Sequence, residues 1–168
     1  MTNSQNDRIC GAKCSVAMAT YNGALYIEKQ ILSIINQTRR VNEIVISDDG
    51  SSDDTLEIVR KLAKSPEAVE IKFKILTDNP RHGFCGNFEH AISHCDGDYI
   101  FICDQDDIWL NNKVERVINL NYSCTSETAS ANGCALSDIN ITDILHSSPP
   151  KKGILLPWVI VFLLTGFL

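Results

Sequence analysis

Residues 43–55 read Glu-Ile-Val-Ile-Ser-Asp-Asp-Gly-Ser-Ser-Asp-Asp-Thr. Glu43 to Ser47 is an apolar run of strand length, and it passes straight into Asp48, Asp49 and Gly50, the residues of a turn. Asp54 then stands where a helix N-cap belongs, with Glu57 three residues on, and Leu56, Val59 and Leu62 follow at helical spacing as a buried stripe. The stretch is therefore a strand, a turn and a helix in immediate succession. The same unit precedes it: Cys14 to Thr20 (CSVAMAT) is a strand and Tyr21, Asn22 and Gly23 are a turn. From Ala24 to Gln37 an amphipathic helix buries Leu25, Ile27, Ile31, Leu32, Ile34 and Ile35 and exposes Glu28, Lys29, Gln30 and Ser33. It also follows. Ile71 to Leu76 is a third strand, Phe84, Phe88, Ala91, Ile92 and Cys95 mark one face of a helix stopped by Gly97, and Tyr99 to Cys103 (YIFIC) is a fourth strand. Strands alternating with helices of this length predict an α/β doubly wound domain, a mainly parallel sheet with helices on both faces.

Beyond Asp107 the signals thin out. A helix is expected near Asn111 to Leu120, then a polar loop over 121–133 and a strand beginning at Cys134 to Leu136. Ile154 to Leu168 is almost wholly apolar and broken by Pro157. It is shorter than the about twenty residues of a membrane span and reads as a buried core helix or a segment lying in an interface, with a short transmembrane segment as the alternative.

Composition narrows the class. The 168 residues are 44% hydrophobic and 21% charged, a globular balance that excludes a disordered tail, a collagen and a coiled coil. Fifteen basic against twenty-one acidic side chains leave a net charge of −6, which provides no attraction for nucleic acid. Seven cysteines (10, 14, 85, 95, 103, 124 and 134) form no C-x-x-C pair, so neither a zinc site nor a disulfide framework is indicated, and reduced cytosolic thiols fit best. The first ten residues lack the apolar stretch of a signal peptide.

In open parallel sheets, ligands sit outside the carboxyl ends of the strands. Asp48 and Asp49 fall there after the second strand, and Asp104, Asp106 and Asp107 after the fourth. Four or five carboxylates converging on one rim need a cation or donors to satisfy them, and an oxygen-only set without His or Cys suits Mg²⁺ or Mn²⁺ with open positions for phosphate.

Three motifs in order, V-A-M-A-T-Y-N-G (Val16 to Gly23), I-V-I-S-D-D-G-S-S-D-D-T (Ile44 to Thr55) and G-D-Y-I-F-I-C-D-Q-D-D-I-W (Gly97 to Trp109), resemble the nucleotide-sugar half of family 2 glycosyltransferases of the GT-A fold, in a bacterial rhamnosyltransferase-like form. The resemblance runs from Ser15 to Glu115. It implies that Tyr21 lies against a pyrimidine base, that Asp49 accepts the base's ring N–H and that Asp48 shapes the turn. It implies further that Asp106 binds the metal directly, that Asp104 faces the ribose or reaches the metal through water, and that Asp107 occupies a variable position. Trp109 is packing or substrate contact. His82 to Asn87 correspond to a loop and helix start under the diphosphate, with Gly86 where a basic residue often stands.

The implied activity is inverting, metal-dependent transfer of a sugar from a nucleotide-diphosphate donor of UDP or dTDP type to a hydroxyl of a glycan or lipid-linked acceptor. The implied setting is bacterial cell-surface polysaccharide synthesis in the cytoplasm, with a peripheral seat at the membrane's inner face. The acceptor-side carboxylate that serves as base in that family has no counterpart here. After Asp107 the carboxylates are Glu115, Glu127, Asp138 and Asp143, none followed by the usual basic and aromatic companions. Residues 14–120 thus read as the donor half and 121–168 as a partial acceptor side, as in a chain cut short. Two other readings stand beside transfer: a donor-binding module without catalysis, and a haloacid-dehalogenase-like phosphatase with Asp104 as nucleophile.

Overall fold

The computed structural model describes residues 11–77, 82–119 and 159–161. The elements are β1 (Cys14–Thr20), α1 (Ile27–Ile35), β2 (Glu43–Asp48), α2 (Thr55–Leu62), a 3₁₀ turn (Pro66–Ala68), β3 (Lys72–Leu76), α3 (Gly83–Ser93), β4 (Tyr99–Cys103) and β5 (Val159–Val161), with residues 113–119 helical after β4. The strands form one parallel sheet in the order β3-β2-β1-β4-β5. Ala17 pairs with Val45 of β2 on one side and with Ile102 of β4 on the other, which places β1 at the centre of the register. The chain moves outward from β1 through β2 to β3 and then returns to the other side of β1. The order therefore reverses between β1 and β4, and the crevice above that point is where an open α/β sheet receives a ligand.

Alternation along the strands divides the core. Val16 and Met18 of β1, Ile44 and Ile46 of β2, and Phe101 and Cys103 of β4 face α1, α2 and the helical residues 113–119. Ala17, Val45 and Ile100 face Ala91 of α3 and Cys95 just beyond its end. Helix α1 forms because Ile27, Ile31, Ile34 and Ile35 fall on one stripe, all buried against the sheet. The expected stripe shifts at its ends: Leu25 precedes the helix and is 85% exposed, whereas Gln30 is fully buried, its amide Nε2 donating to Cys103 Sγ at 2.8 Å. Helix α3 also turns differently from its sequence pattern. Phe84 is 70% exposed, and the buried positions are Asn87 and Ala91.

A polar network fastens the opposite, amino end of the sheet. Glu43 Oε1 accepts from Ser15 Oγ at 2.6 Å and from the Asp96 N–H, and Lys74 Nζ lies 3.0 Å from Glu43 Oε2 and 2.7 Å from Asp96 Oδ2. Burial works against the charge on Glu43, but the Asp96 N–H, the Ser15 hydroxyl and the Lys74 ammonium outweigh it and hold the carboxyl below its ordinary range. Cys14, Cys95 and Cys103 are buried free thiols and Cys85 an exposed one; burial pushes Cys95 up to about 12. Cys10, Cys124 and Cys134 lie outside the described residues.

The apolar stretch expected as a core helix or interfacial segment contributes a strand over its described part: Val159–Val161 pairs with Tyr99 to Phe101 as the edge of the sheet. Three β-prone residues satisfy the open backbone edge of β4, a pairing that periodicity cannot signal in so short an apolar run. Among the described residues no helix is long and apolar enough to cross a membrane. The loop at 121–133 and the strand at Cys134 lie outside the described residues.

Candidate functional site

Three turns make the carboxyl rim. The first follows β1. Tyr21 is 45% exposed, and Asn22 has φ of 48°, a left-handed conformation that Asn tolerates. The second follows β2, and its side chains lace it to the first. Ser51 Oγ accepts from the Asn22 N–H at 2.8 Å, Asn22 Oδ1 accepts from the Ser52 N–H at 2.8 Å, Thr55 Oγ1 accepts from the Gly23 N–H at 2.8 Å, and Asp53 Oδ2 accepts from the Ala24 N–H at 3.0 Å. Asp54 occupies the N-cap position of α2 but makes no side-chain cap bond; Asp53 Oδ1 instead accepts from both the N–H and the hydroxyl of Thr55.

Asp48 is buried and saturated. Its Oδ1 accepts from the N–H groups of Gly50 and Ser51, and its Oδ2 from the hydroxyls of Thr20 and Ser51. Four donors leave it no free lone pair to offer a ligand, so it acts through the turn it shapes, in which Gly50 takes φ of 85°. Asp49, half-buried beside it, reaches the start of α3: its Oδ1 accepts from the His82 N–H at 2.6 Å and its Oδ2 from the Gly83 N–H at 3.2 Å. The helix start expected beneath a diphosphate thus holds a carboxylate from this chain. Helix α3 is held to the sheet by Asn87 Nδ2, which donates to the Thr20 carbonyl at 3.3 Å, and by a 3.0 Å hydrogen bond between His90 Nδ1 and Ser47 Oγ.

The third turn carries Asp104, Asp106 and Asp107. Asp104 is half-buried and Asp106 exposed. Burial raises the Asp104 carboxyl above its ordinary value, the Gln105 N–H opposes this, and the charges of Asp106 and Asp107 add to the rise. The convergence expected of all the carboxylates does not occur. Among the described residues no group of three or more ligating side chains is assembled, because Asp48 and Asp49 are occupied by donors of their own turn and of α3. A cation still fits the third turn: the donors are oxygens alone, and Asp104 is short of compensating charge. Such an ion would take one or two carboxylates and complete its shell with water or phosphate oxygens, as Mg²⁺-type sites commonly do.

Trp109 is packing. It is 5% exposed, its ring centroid lies 5.9 Å from that of Phe101, and Lys113 Nζ sits 4.2 Å over its face. Glu115 accepts from Thr38 Oγ1 at 2.7 Å, while Glu127, Asp138 and Asp143 lie outside the described residues. One residue had no assigned role in the sequence reading. Gln105 Oε1 accepts from the Tyr21 N–H at 3.0 Å and Gln105 Nε2 donates to the Tyr21 carbonyl at 3.2 Å, joining the first and third turns across the point where strand order reverses.

Residues 15–122 match the family model described as glycosyl transferase family 2. The chain belongs to that family. Its relatives include the dTDP-rhamnosyl transferase RfbG of Shigella flexneri, 38% identical over 122 residues that cover 68% of this chain and 41% of that protein. Another is a GalNAc(5)-diNAcBac-PP-undecaprenol beta-1,3-glucosyltransferase of Campylobacter jejuni, 33% identical over 106 residues, 63% of this chain and 33% of the relative. Among solved structures, S. aureus TarS in complex with UDP superposes with a TM-score of 0.58 at 25% identity, over 66% of this chain and 32% of that one. A mannosyltransferase of Pyrobaculum calidifontis in complex with GDP-Man and Mn²⁺ gives 0.52 at 25% identity, over 64% and 31%. This family 2 chain has the GT-A architecture and spans between a third and two fifths of the length of these curated relatives. Membership turns the reading of Asp104 away from a phosphatase nucleophile.

Proposed function

We propose that residues 14–120 bind a nucleotide-diphospho-sugar and form the donor half of a transferase that moves the sugar to an acceptor hydroxyl with inversion. The observation that carries this reading is the meeting of the Tyr21 turn and the Asp104–Asp107 turn over the reversal between β1 and β4. Tyr21 offers an exposed ring to a base, Asp49 has acceptor capacity left for a ring N–H, and Asp104 and Asp106 would hold a divalent cation, Mg²⁺ or Mn²⁺. When bound, the cation supplies neutralisation of the charge that develops on a departing diphosphate. In this reading Asp106, which is exposed, ligates the cation directly, and Asp104, which is half-buried, faces the ribose or reaches the cation through water. The UDP bound by S. aureus TarS and the GDP-Man and Mn²⁺ bound by the Pyrobaculum enzyme support this reading, and the dTDP-rhamnosyl transferase supports a UDP- or dTDP-type donor. A glycan or lipid-linked acceptor and a place in polysaccharide synthesis at the cytoplasmic face of a membrane belong to the same reading; the undecaprenol-linked substrate in the name of the Campylobacter jejuni relative supports the lipid-linked acceptor. No residue of this chain is assigned to deprotonate the acceptor hydroxyl, since the carboxylates after Asp107 lack the companions of the family's base.

Calorimetry of the chain with UDP and with dTDP, each with and without Mn²⁺, tests the donor site. Metal-dependent binding that Asp106→Ala abolishes is the expected result, and no heat with either nucleotide rejects it. Nucleotide release from a sugar-nucleotide panel with acceptor present separates a transferase from a binding module.

A further inference from the structure

We propose that Gln105 is a positioning residue that locks the turn carrying Tyr21 to the turn carrying Asp104 and Asp106, fixing the spacing between base platform and cation-holding carboxylates. The proposal rests on the donor-site reading. It starts from the complementarity of one side chain with one peptide unit. Tyr21 stands in an exposed turn, and both its N–H and its carbonyl meet the Gln105 amide, at 3.0 and 3.2 Å. A planar primary amide offers an acceptor and a donor side by side; neither a carboxylate nor an apolar side chain of the same length can meet both demands. Gln105 is anchored at its own end, since its N–H donates to Asp104 Oδ1 at 2.8 Å. The same residue therefore orients the Asp104 carboxylate through its backbone and the Tyr21 turn through its side chain.

A second observation comes from Gly23. A Cβ built there would fall 2.3 Å from Gln105 Oε1 and 2.6 Å from Gln105 Cδ. Gly23 is buried, and its N–H is already held by Thr55 Oγ1 at 2.8 Å, so the turn cannot simply back away. The glycine leaves the room that the amide occupies. Any side chain at position 23 would drive Gln105 off Tyr21, although the backbone at 23 is otherwise free to accept one. The two turns are the ones that flank the reversal between β1 and β4, where the sheet itself leaves a crevice. The clamp thus spans the floor of the ligand crevice and not a remote surface.

The test uses the whole 168-residue chain, with UDP plus Mn²⁺ as the probe. Amide hydrogen exchange at Tyr21 should accelerate at least about tenfold in Gln105→Met, with exchange in the β1 interior unchanged. UDP affinity in the presence of Mn²⁺ should weaken about tenfold in the same variant, the size of coupling measured between residues of one hydrogen-bond network. Gln105→Glu, which keeps an acceptor for the Tyr21 N–H, should lie between it and wild type, and Gly23→Ala should reproduce Gln105→Met. In a Tyr21→Ala background, where no ring remains to be placed, Gln105→Met should change affinity less than about twofold. Equal losses in both backgrounds, the signature of direct ligand contact or general loosening, overturn the proposal, as does unchanged exchange at Tyr21. Accelerated exchange in a chain whose wild type binds no nucleotide supports the clamp and rejects the donor reading instead.

Discussion

Asp104 shows how one side chain carries opposed demands. Its carboxyl is raised by burial first and by the neighbouring acids second, so its ionised form is strained at neutral pH. A group whose pKa is higher folded than unfolded contributes its stability below the unfolded value, near 4 for Asp, and loses it as pH rises through the folded one. Asp104→Asn should therefore raise the melting temperature at pH 7 while weakening Mn²⁺ binding at least about tenfold, seen by scanning calorimetry and Mn²⁺ titration. For the same reason wild-type Mn²⁺ affinity should begin to fall with acidification at a higher pH than an ordinary aspartate would give. At this scale the sequence was partly readable. Asp48 and Asp49 stand out because two acids close an apolar strand, but the saturation of Asp48 depends on hydroxyls of Thr20 and Ser51, which only the folded turn brings near. That Asp53 and not the N-cap residue Asp54 supplies the side-chain bond to Thr55 is likewise tied to its second contact, with the Ala24 N–H.

The elements obey their patterns where burial is uniform. β1 and β2 follow their runs closely because residues buried on both faces leave a nearly unbroken hydrophobic signal, whereas β3, partly buried and interrupted by Lys72 and Lys74, is marked by Phe73, Ile75 and Leu76. Helices were harder to orient. Leu25 and Phe84 suit their helical stripes by spacing, yet each sits at a helix start on the rim, where the sheet no longer covers it. Ile31, fully buried mid-helix in α1, should cost about 2–5 kcal/mol when changed to Ala, measured by urea unfolding. Lys74→Met should cost about 2 kcal/mol, less than a fully buried pair because the ammonium keeps some solvent. The sign of its pH dependence follows from Glu43, whose folded pKa is depressed. The stabilisation is present above the unfolded glutamate value and is lost as pH falls through the folded one, so the penalty of Lys74→Met should shrink in acid.

For the molecule as a whole, alternating strands and helices announced a parallel sheet, but the order β3-β2-β1-β4-β5 lies in crossovers that a single sequence does not display. The crevice over the β1–β4 reversal, and Gln105 within it, could be found only once that order was known. A ligand bound there stabilises the entire sheet by mass action: UDP with Mn²⁺ at a hundred times its dissociation constant should add about 2.7 kcal/mol, read as a rise in melting temperature absent in Asp106→Ala. The lacing of the first two rim turns has a further consequence for how this scaffold can be recombined. Asn22 answers to Ser51 and Ser52, Gly23 to Thr55 and Ala24 to Asp53. The two loops are one heritable cassette, and a chimera that imports 21–24 from another transferase without 51–55 inherits half of a lock.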